Sequence, residues 1–309
     1  MNNAVAFGAE ADITINQGSG SFVVDAGPNH PGKTVEVFYD KPKNFHQHSP
    51  ILMVIPGAGR NGDTYRDSWV SASEQYSTLI LSPAYAEKDF DFAGYHFGGV
   101  IENMKFKAKP QIVQFNKRKV FKIDDKDLMF DVSKVPANWI YDDFDHLFDQ
   151  VKQTLGSAQV QYDVFGHSAG GQIAHRMALF HPYAKANRIV AANAGSYTLP
   201  EFDTALPFGL KNSLMSDDTL KHSLRNRLVL FIGELDNADE TGGKLLHTPI
   251  VNRQGLHRLA RGQYFYQQGL QAAERLATPF GWQLEIVPGI GHNYRQMGKA
   301  AAQYLYGSK

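Results

Sequence analysis

Short apolar runs alternate with amphipathic stretches along most of the chain after residue 50. Each run is nearly continuous in apolar residues, as expected for the strands of a parallel sheet that is covered on both faces. The predicted strands are ILMVI (51–55), TLILSP (78–83), VQYDVF (160–165), RIVAAN (188–193), RLVLFIG (227–233) and WQLEIVPG (282–289). Their alternation with helical stretches indicates a wound α/β fold.

The first fifty residues follow a different pattern, in which apolar and polar residues alternate. Three segments show it: ADITINQ (11–17), SFVVDAG (21–27) and KTVEVFYD (33–40). The first two flank a Gly-Ser turn. This pattern predicts antiparallel, half-exposed strands at an edge of the sheet.

The clearest predicted helix covers residues 136–155. Pro136 lies near its start, and three aspartates follow early, where the helix dipole favours negative charge. One apolar stripe runs along the helix through Ile140, Phe144, Leu147, Phe148, Val151 and Leu155.

Three segments match neither a strand nor a regular helix: about 84–135, 199–225 and 238–262. We interpret them as insertions over one end of the sheet, within a single domain that spans residues 1–309. They contain aromatic residues that we expect to pack in the core or to shape a substrate pocket, among them Tyr95, Phe97, Phe202 and Phe208.

Charge and composition narrow the classes of function. The chain has 309 residues with 31 Lys plus Arg and 31 Asp plus Glu, so no global positive field favours nucleic acid as a partner. The absence of cysteine excludes disulfides, thiolate nucleophiles and Cys-ligated zinc. One basic patch is predicted to be a solvated face; it consists of Lys105, Lys107, Lys109, Lys117, Arg118, Lys119 and Lys122.

Targeting signals are not recognisable in the chain. The first residues, MNNAVAFGAEADITIN, lack a basic region followed by a long apolar run, so no signal peptide is predicted. The chain contains no run of about 18 apolar residues, so no membrane span is predicted. The expected location is cytoplasmic, unless a leader has been removed.

The segment QYDVFGHSAGGQIAHRMAL (161–179) carries the strongest chemical signal. Ser168 stands between Gly166 and Gly170, after a predicted strand and before a helix rich in small residues. This pattern is typical of a nucleophile elbow, a strained turn that exposes a serine Oγ at the end of a strand. Glycines permit the sharp turn, and the helix N-terminus offers N–H groups to developing negative charge.

A serine nucleophile needs a base and an acid that orients the base. Asp236 follows the predicted strand 227–233, and His292 lies in a Gly-rich turn after the strand 282–289. The order Ser, Asp, His is the α/β-hydrolase order, and each residue follows a predicted strand. Glu234 and Asp239 lie close to Asp236 and remain alternatives for the acid.

An oxyanion hole requires two N–H donors. Ala169, directly after Ser168, is expected to provide one. The loop PGAGRNG after residue 55 is expected to provide the other, from Ala58 with Gly59 as its neighbour.

Two other interpretations, a dinucleotide-binding loop and a histidine metal site, lack the residues that they require. Gly57, Gly59 and Gly62 form a G-x-G-x-x-G pattern, but the next strand ends in Ser82 and Pro83 rather than in the acid that binds a ribose. His46 and His48 lack a third metal ligand at a suitable spacing and are interpreted as exposed loop residues. We therefore expect no cofactor and no metal.

Four segments together resemble the α/β-hydrolase serine esterases of the poly(3-hydroxybutyrate) depolymerase-like family. They are IPGAGRNGDTYRDSW, GHSAGGQIAHRMAL, RIVAANAGSYTLP and VPGIGHNY, and the resemblance extends from about Ile51 to Tyr306. It implies an α/β-hydrolase fold with Ser168, Asp236 and His292 at the triad positions. Many members begin the oxyanion loop with His, whereas Pro56 stands there in this chain.

The predicted activity is hydrolysis of carboxylic esters through an acyl-enzyme, with short-chain or 3-hydroxyacyl esters favoured. Two alternatives stay open: a serine peptidase of the same fold, and a non-catalytic binding protein that retains the scaffold. The sequence does not distinguish polymeric from small substrates and does not define an oligomeric state.

Overall fold

The computed structural model describes residues 13–307. Thirteen strands lie within this range: β1 (Gly18–Asp25), β2 (Thr34–Lys41), β3 (Ile51–Ile55), β4 (Leu79–Ala84), β5 (Ile101–Phe106), β6 (Gln111–Phe115), β7 (Arg118–Lys122), β8 (Leu128–Val132), β9 (Tyr162–His167), β10 (Ala186–Ala192), β11 (Leu228–Gly233), β12 (Leu245–His247) and β13 (Gln283–Val287).

Nine α-helices lie in the same range: α1 (Gly62–Asp67), α2 (Val70–Tyr76), α3 (Phe92–His96), α4 (Tyr141–Leu155), α5 (Ala169–Phe180), α6 (Asp217–Arg225), α7 (Pro249–Asn252), α8 (Arg258–Arg275) and α9 (Tyr294–Tyr306). Most of the longer helices connect neighbouring strands of the main sheet.

The main sheet has eight strands in the order β1-β2-β4-β3-β9-β10-β11-β13. β2 pairs antiparallel with both β1 and β4, and all pairs from β4 to β13 are parallel. The predicted fold class, a mostly parallel α/β-hydrolase sheet with antiparallel N-terminal edge strands, is confirmed. Because β3, β9, β11 and β13 run the same way, their carboxyl ends meet at one edge, where the loops of interest begin.

Apolar residues cover both faces of this sheet. Along β3, Ile51 and Met53 face the larger core with α4 and α5, whereas Leu52 and Val54 face a second core with α9. Alternate side chains of a strand point to opposite faces, so a strand buried on both sides is a continuous apolar run. This explains why the strands were recognisable from the sequence.

The N-terminal edge differs from its prediction. The predicted Gly-Ser turn, residues 18–20, lies inside β1, which pairs with β2 in full register from Gly18 with Lys41 to Asp25 with Thr34. Residues 13–17 precede the strand without regular structure, and the start of ADITINQ lies outside the described residues. The predicted helix 136–155 also begins later, at Tyr141, after a single 3₁₀ turn over Pro136–Asn138.

The three predicted insertions contain regular structure that the apolar pattern did not show. Residues 84–135 hold α3 and four short strands, of which β5 pairs with β8 and β6 pairs with β7. Residues 199–225 end in α6, and residues 238–262 contain β12, α7 and the start of α8. Three of these strands, β5, β6 and β8, are mostly exposed or half-buried, so they lack the apolar runs of the main sheet.

A buried histidine in the first insertion gives the protein an acid-sensitive stability. His96 ends α3, stacks on Phe92 at 3.9 Å between ring centroids and is 9% exposed. Burial, followed by the charge of Arg60, lowers the pKa of His96 to about 4, against about 6.5 in an unfolded chain. The unfolded state therefore binds more protons between these pH values, so the contribution is complete above pH 6.5 and is lost as pH falls toward 4.

We expect His96 alone to lower the free energy of unfolding by about 2 kcal/mol between pH 7 and pH 5. Urea denaturation at both pH values measures this loss. The variant His96→Gln keeps a donor for the carbonyl oxygen of Phe92 but does not titrate, so its loss should be smaller by about this amount. An equal loss in the variant and the wild type contradicts the assignment.

Candidate functional site

Ser168 lies in a strained turn between β9 and α5. Its φ and ψ angles are 59° and −112°, outside the regions that most residues adopt. A Cβ at Gly166 would collide with the carbonyl of Gly170, and one at Gly170 with the carbonyl of Ile55. The glycines thus permit the close approach of strand, helix and neighbouring loop that the turn requires.

Three side chains from three separate loops form one chain of hydrogen bonds. His292 Nε2 lies 3.1 Å from Ser168 Oγ, and His292 Nδ1 lies 2.7 Å from Asp236 Oδ2. Ser168 follows β9, Asp236 follows β11 and His292 follows β13, and all three strands end at the same edge of the sheet. The structure therefore brings together the three residues that the sequence singled out.

The neighbouring acids have other partners. Glu234 accepts a hydrogen bond from the backbone N–H of Gly289 at 2.8 Å. Asp239 is exposed and lies 3.0 Å from Lys117 Nζ. Among the three carboxylates considered from the sequence, Asp236 is the one in contact with His292, because the turn after β11 directs it inward.

Asn193, which sequence reasoning missed, connects the two loops that carry Asp236 and His292. Its Nδ2 donates to the carbonyl of Gly291 at 3.0 Å, and its Oδ1 accepts from the N–H of Gly233 at 2.8 Å. It directly follows β10, although the predicted strand 188–193 included it; a polar residue at the end of an apolar run was the available signal.

Two buried arginines also contact Asp236. Oδ1 of Asp236 accepts from Arg258 Nη1 at 3.2 Å and lies 3.4 Å from Arg118 Nη2. The prediction that Arg118 belongs to a solvated face is wrong: its side chain is 4% exposed, whereas Lys117 and Lys119 beside it are exposed. Along β7 alternate residues face opposite sides, so one basic residue in the run points inward.

These charges determine the protonation of the site. Burial disfavours ionisation of Asp236, but Arg258, His292 and Arg118 outweigh it and hold the pKa of this carboxyl well below its usual range. Burial, and next the charge of Arg258, lower the pKa of His292 below its ordinary value, while Asp236 opposes the shift. At neutral pH the site therefore holds a carboxylate and a neutral imidazole, which can accept a proton from Ser168.

The loop after β3 lies against Ser168. A Cβ added at Gly57 would be 3.6 Å from Ser168 Cβ, and Ala58 and Gly59 are exposed beside it. Within residues 13–307, neither the N–H of Ala58 nor that of Ala169 donates to a protein acceptor. Tyr95 fixes the start of the loop, since its hydroxyl donates to the carbonyl of Pro56 at 2.7 Å.

Two solved structures are similar over nearly the whole chain. Poly(aspartic acid) hydrolase-1 from Sphingomonas sp. KT-1 shares 32% identity, with 94% of this chain and 98% of that chain covered and a TM-score of 0.78. LpqC, a poly(3-hydroxybutyrate) depolymerase from Bordetella parapertussis, shares 27% identity, with 94% and 90% covered and a TM-score of 0.77. The chain belongs to the α/β-hydrolase depolymerase-like family. This family member is a hydrolase.

Other comparisons add less to this family assignment. FphF, a fluorophosphonate-binding serine hydrolase from Staphylococcus aureus, is 15% identical, with 93% of this chain and 97% of that chain covered. Its TM-score is 0.51, and this similarity shows the fold alone. No protein-family model and no curated protein sequence matches the chain.

The four aromatic residues that were expected to pack in the core or to shape a substrate pocket all pack in or against the larger core. Tyr95, Phe97 and Phe208 are buried in the larger core, and Phe202 packs against it while partly exposed. His46 and His48 are exposed, and no group of three or more His, Asp or Glu side chains in residues 13–307 is arranged to hold a metal ion.

None of the helices between residues 13 and 307 has the length and apolar character needed to cross a membrane.

Proposed function

We propose that this chain is a serine esterase that cleaves carboxylic esters through a covalent acyl-enzyme. The observation that carries the proposal is the continuous hydrogen-bonded chain from Ser168 Oγ through His292 to Asp236 Oδ2, at 3.1 and 2.7 Å. A neutral imidazole between a serine hydroxyl and a buried carboxylate is the arrangement that activates serine for attack on a carbonyl carbon.

In the first half of the reaction, Ser168 Oγ attacks the ester carbonyl while His292 Nε2 accepts the hydroxyl proton. The N–H groups of Ala169 and Ala58, with Gly59 beside them, stabilise the negative oxygen of the tetrahedral intermediate. Within residues 13–307 the N–H groups of Ala169 and Ala58 have no protein acceptor, which supports this role. The intermediate then collapses, and imidazolium His292 gives its proton to the departing alkoxide.

In the second half, water attacks the acyl-enzyme and His292 Nε2 takes a proton from it. A second tetrahedral intermediate forms in the same oxyanion site. Its collapse releases the carboxylic acid and returns the proton to Ser168. Asp236 stays ionised throughout and stabilises the imidazolium that forms in each half.

The substrates that we favour are short-chain and 3-hydroxyacyl esters. The similarity to a poly(3-hydroxybutyrate) depolymerase supports this choice. We expect p-nitrophenyl butyrate and 3-hydroxybutyrate oligomers to be cleaved with a higher kcat/KM than long-chain triglycerides or peptide amides. A substrate panel assayed by pH-stat checks this, and a panel in which peptide amides are cleaved fastest contradicts it.

A second candidate is hydrolysis of amide bonds in an acidic polymer. The observation that favours it is a local excess of positive charge: residues 102–134 hold nine Lys or Arg and five Asp or Glu, and Lys117 and Lys119 of this segment are exposed on either side of Arg118, which contacts Asp236. The similarity to a poly(aspartic acid) hydrolase agrees with it. Poly(aspartic acid) in the same panel, at low and high salt, tests the candidate, because salt screens exposed lysines.

A further inference from the structure

Asp236 divides its two carboxylate oxygens between different partners. Oδ2 lies 2.7 Å from His292 Nδ1, whereas Oδ1 accepts from Arg258 and lies 3.4 Å from Arg118. Arg118 comes from β7 in the first insertion, and Arg258 is the first residue of α8. The carboxylate is therefore held on the side away from His292 by two cations from separate parts of the chain.

The two arginines are themselves fixed by the backbone of the loop 240–244. Arg118 Nε donates to the carbonyl of Glu240 at 2.8 Å. Arg258 donates to the carbonyls of Gly242 and Lys244 at 3.3 and 3.0 Å. Their side chains are 4% and 1% exposed. Neither guanidinium is placed to bind a substrate from solvent, so any role in the reaction passes through Asp236.

The same loop also contacts His292. Oε2 of Glu240 accepts from the backbone N–H of His292 at 2.6 Å. Gly243 has a φ of +66°, and a Cβ there would lie 2.8 Å from the His292 ring and 2.9 Å from Arg258 Nη2. The loop 240–244 thus joins the imidazole, the carboxylate and both arginines in one packed unit.

A contribution to folding stability does not explain why two buried arginines contact one carboxylate. Burying two cations against one anion leaves excess positive charge in the interior, which is costly. Within residues 13–307, Arg118 Nη1 and Arg258 Nε are also buried without a hydrogen-bond partner, and each unsatisfied buried donor costs further free energy. An arrangement that costs stability at a reactive site indicates a role in the chemistry.

We propose that Arg118 and Arg258 are positioning residues that hold Asp236 in the orientation in which Oδ2 receives the His292 Nδ1–H, and that Arg258 extends the reactivity of Ser168 toward acidic pH. This inference rests on the proposed serine-hydrolase mechanism. The first insertion is then a part of the catalytic apparatus, because it supplies Arg118 from β7.

The charged and titratable groups around His292 give the sign of the pH effect. They are Asp236, Arg258, Glu240 and His167, whose ring centroid is 4.6 Å from that of His292, with Arg118 behind Asp236. His167 is buried, and burial first, then His292, keeps its pKa well below the ordinary value, so it is neutral. Since Arg258 lowers the pKa of His292, removal of Arg258 should raise that pKa. The acidic limb of the pH–rate profile, in which the reactivity of Ser168 falls as His292 is protonated, should then move to higher pH.

The test is the rate of fluorophosphonate labelling at Ser168 as a function of pH, with the labelled peptide identified by mass spectrometry. Arg258→Met should label about 10- to 100-fold more slowly at neutral pH, since small misplacements of a reacting group cost up to about 10²-fold. Its acidic limb should lie at higher pH. Arg258→Lys retains the charge, so its limb should stay near that of the wild type while the rate falls.

Arg118→Met should slow labelling by a similar factor, and Arg118→Lys should recover part of the loss. Lys119→Met is the matched control, because it removes one positive charge from the same strand at an exposed position. With an ester substrate, the two methionine variants should lose kcat at an unchanged KM. If Arg258→Met does not fold, the test is made with the two Arg118 variants and Arg258→Lys. The proposal is overturned if the folded arginine variants have wild-type labelling rates and the same acidic limb in the pH profile as the wild type.

A measurement without chemistry separates this proposal from the proposed function. In an NMR titration, the midpoint of His292 should lie at higher pH in Arg258→Met than in the wild type, and an unchanged midpoint overturns the role of Arg258. A wild-type chain that fluorophosphonate does not label at Ser168 rejects the serine-hydrolase mechanism itself, whatever the midpoint of His292.

Discussion

Replacement of Ser168 by alanine is expected to abolish hydrolysis of p-nitrophenyl esters, with a loss on the order of 10⁴-fold or more in kcat. Without Oγ there is no nucleophile 3.1 Å from His292 Nε2. The N–H of Ser168 donates to the carbonyl of Ala192, and alanine retains this contact. Steady-state kinetics with p-nitrophenyl acetate and butyrate measure the loss, and circular dichroism checks the fold.

Ser196→Ala provides the matched control. Ser196 is buried, whereas Ser168 is partly exposed, and the Ser196 hydroxyl donates to Gln172 Oε1 at 2.8 Å rather than to His292. This variant should retain most of the activity and should still be labelled by fluorophosphonate. A Ser168→Ala protein that keeps a substantial fraction of wild-type turnover rejects Ser168 as the nucleophile.

Asp236→Asn is expected to lower kcat by up to about 10⁴-fold, because an amide can favour the wrong tautomer of His292. The structure adds an expected cost in stability that the sequence did not indicate. Asp236 is 0% exposed and is the anion for two buried arginines, and breaking a buried ion pair costs about 3–5 kcal/mol. Kinetics should therefore be measured at a temperature where urea denaturation shows the variant to be folded.

Asp239→Asn is the natural comparison for this acid. Asp239 is 73% exposed and pairs with Lys117, which is 67% exposed, and such surface pairs contribute about 0–1 kcal/mol. We expect near wild-type kinetics and stability from this variant. If Asp239→Asn proves the more damaging of the two, Asp239 is the acid and the contact between Asp236 and His292 has no catalytic role.

The apolar pattern of the sequence was sufficient to predict the sheet. β3, β4, β9, β10, β11 and β13 all lie within a few residues of their predicted positions. β3, β4 and β11 are buried at almost every position, and a strand buried on both faces must be apolar throughout. The edge strand β13 is only half-buried. The turn around Ser168 was predictable for a related reason. Only glycine fits where Gly166 and Gly170 contact backbone carbonyls. The turn therefore requires glycine at both positions, and this requirement is visible in the sequence.

The position of each acid and base was also predictable, since polar residues that follow parallel strands meet at one edge of the sheet. The sequence thus placed Ser168, Asp236 and His292 at the same edge. It favoured Asp236 over Glu234 and Asp239, but these two stayed alternatives, because the sequence does not give the direction of each side chain in a turn of a few residues.

Only the tertiary structure decided which charges surround Asp236. Arg118 lies in a run of exposed lysines and is 118 positions from Asp236 in the sequence, so neither its neighbours nor its spacing distinguishes it. Its burial depends on the pairing of β7 with β12 and on a contact with the loop 240–244. These two strands have five and three residues, which is too short for a periodic apolar signal. The sequence by itself determined the α/β scaffold and its reactive serine, because burial in the sheet requires apolar residues and the close contacts of the turn require glycine. The partners of the acid arise from long-range packing, which residue type alone does not encode.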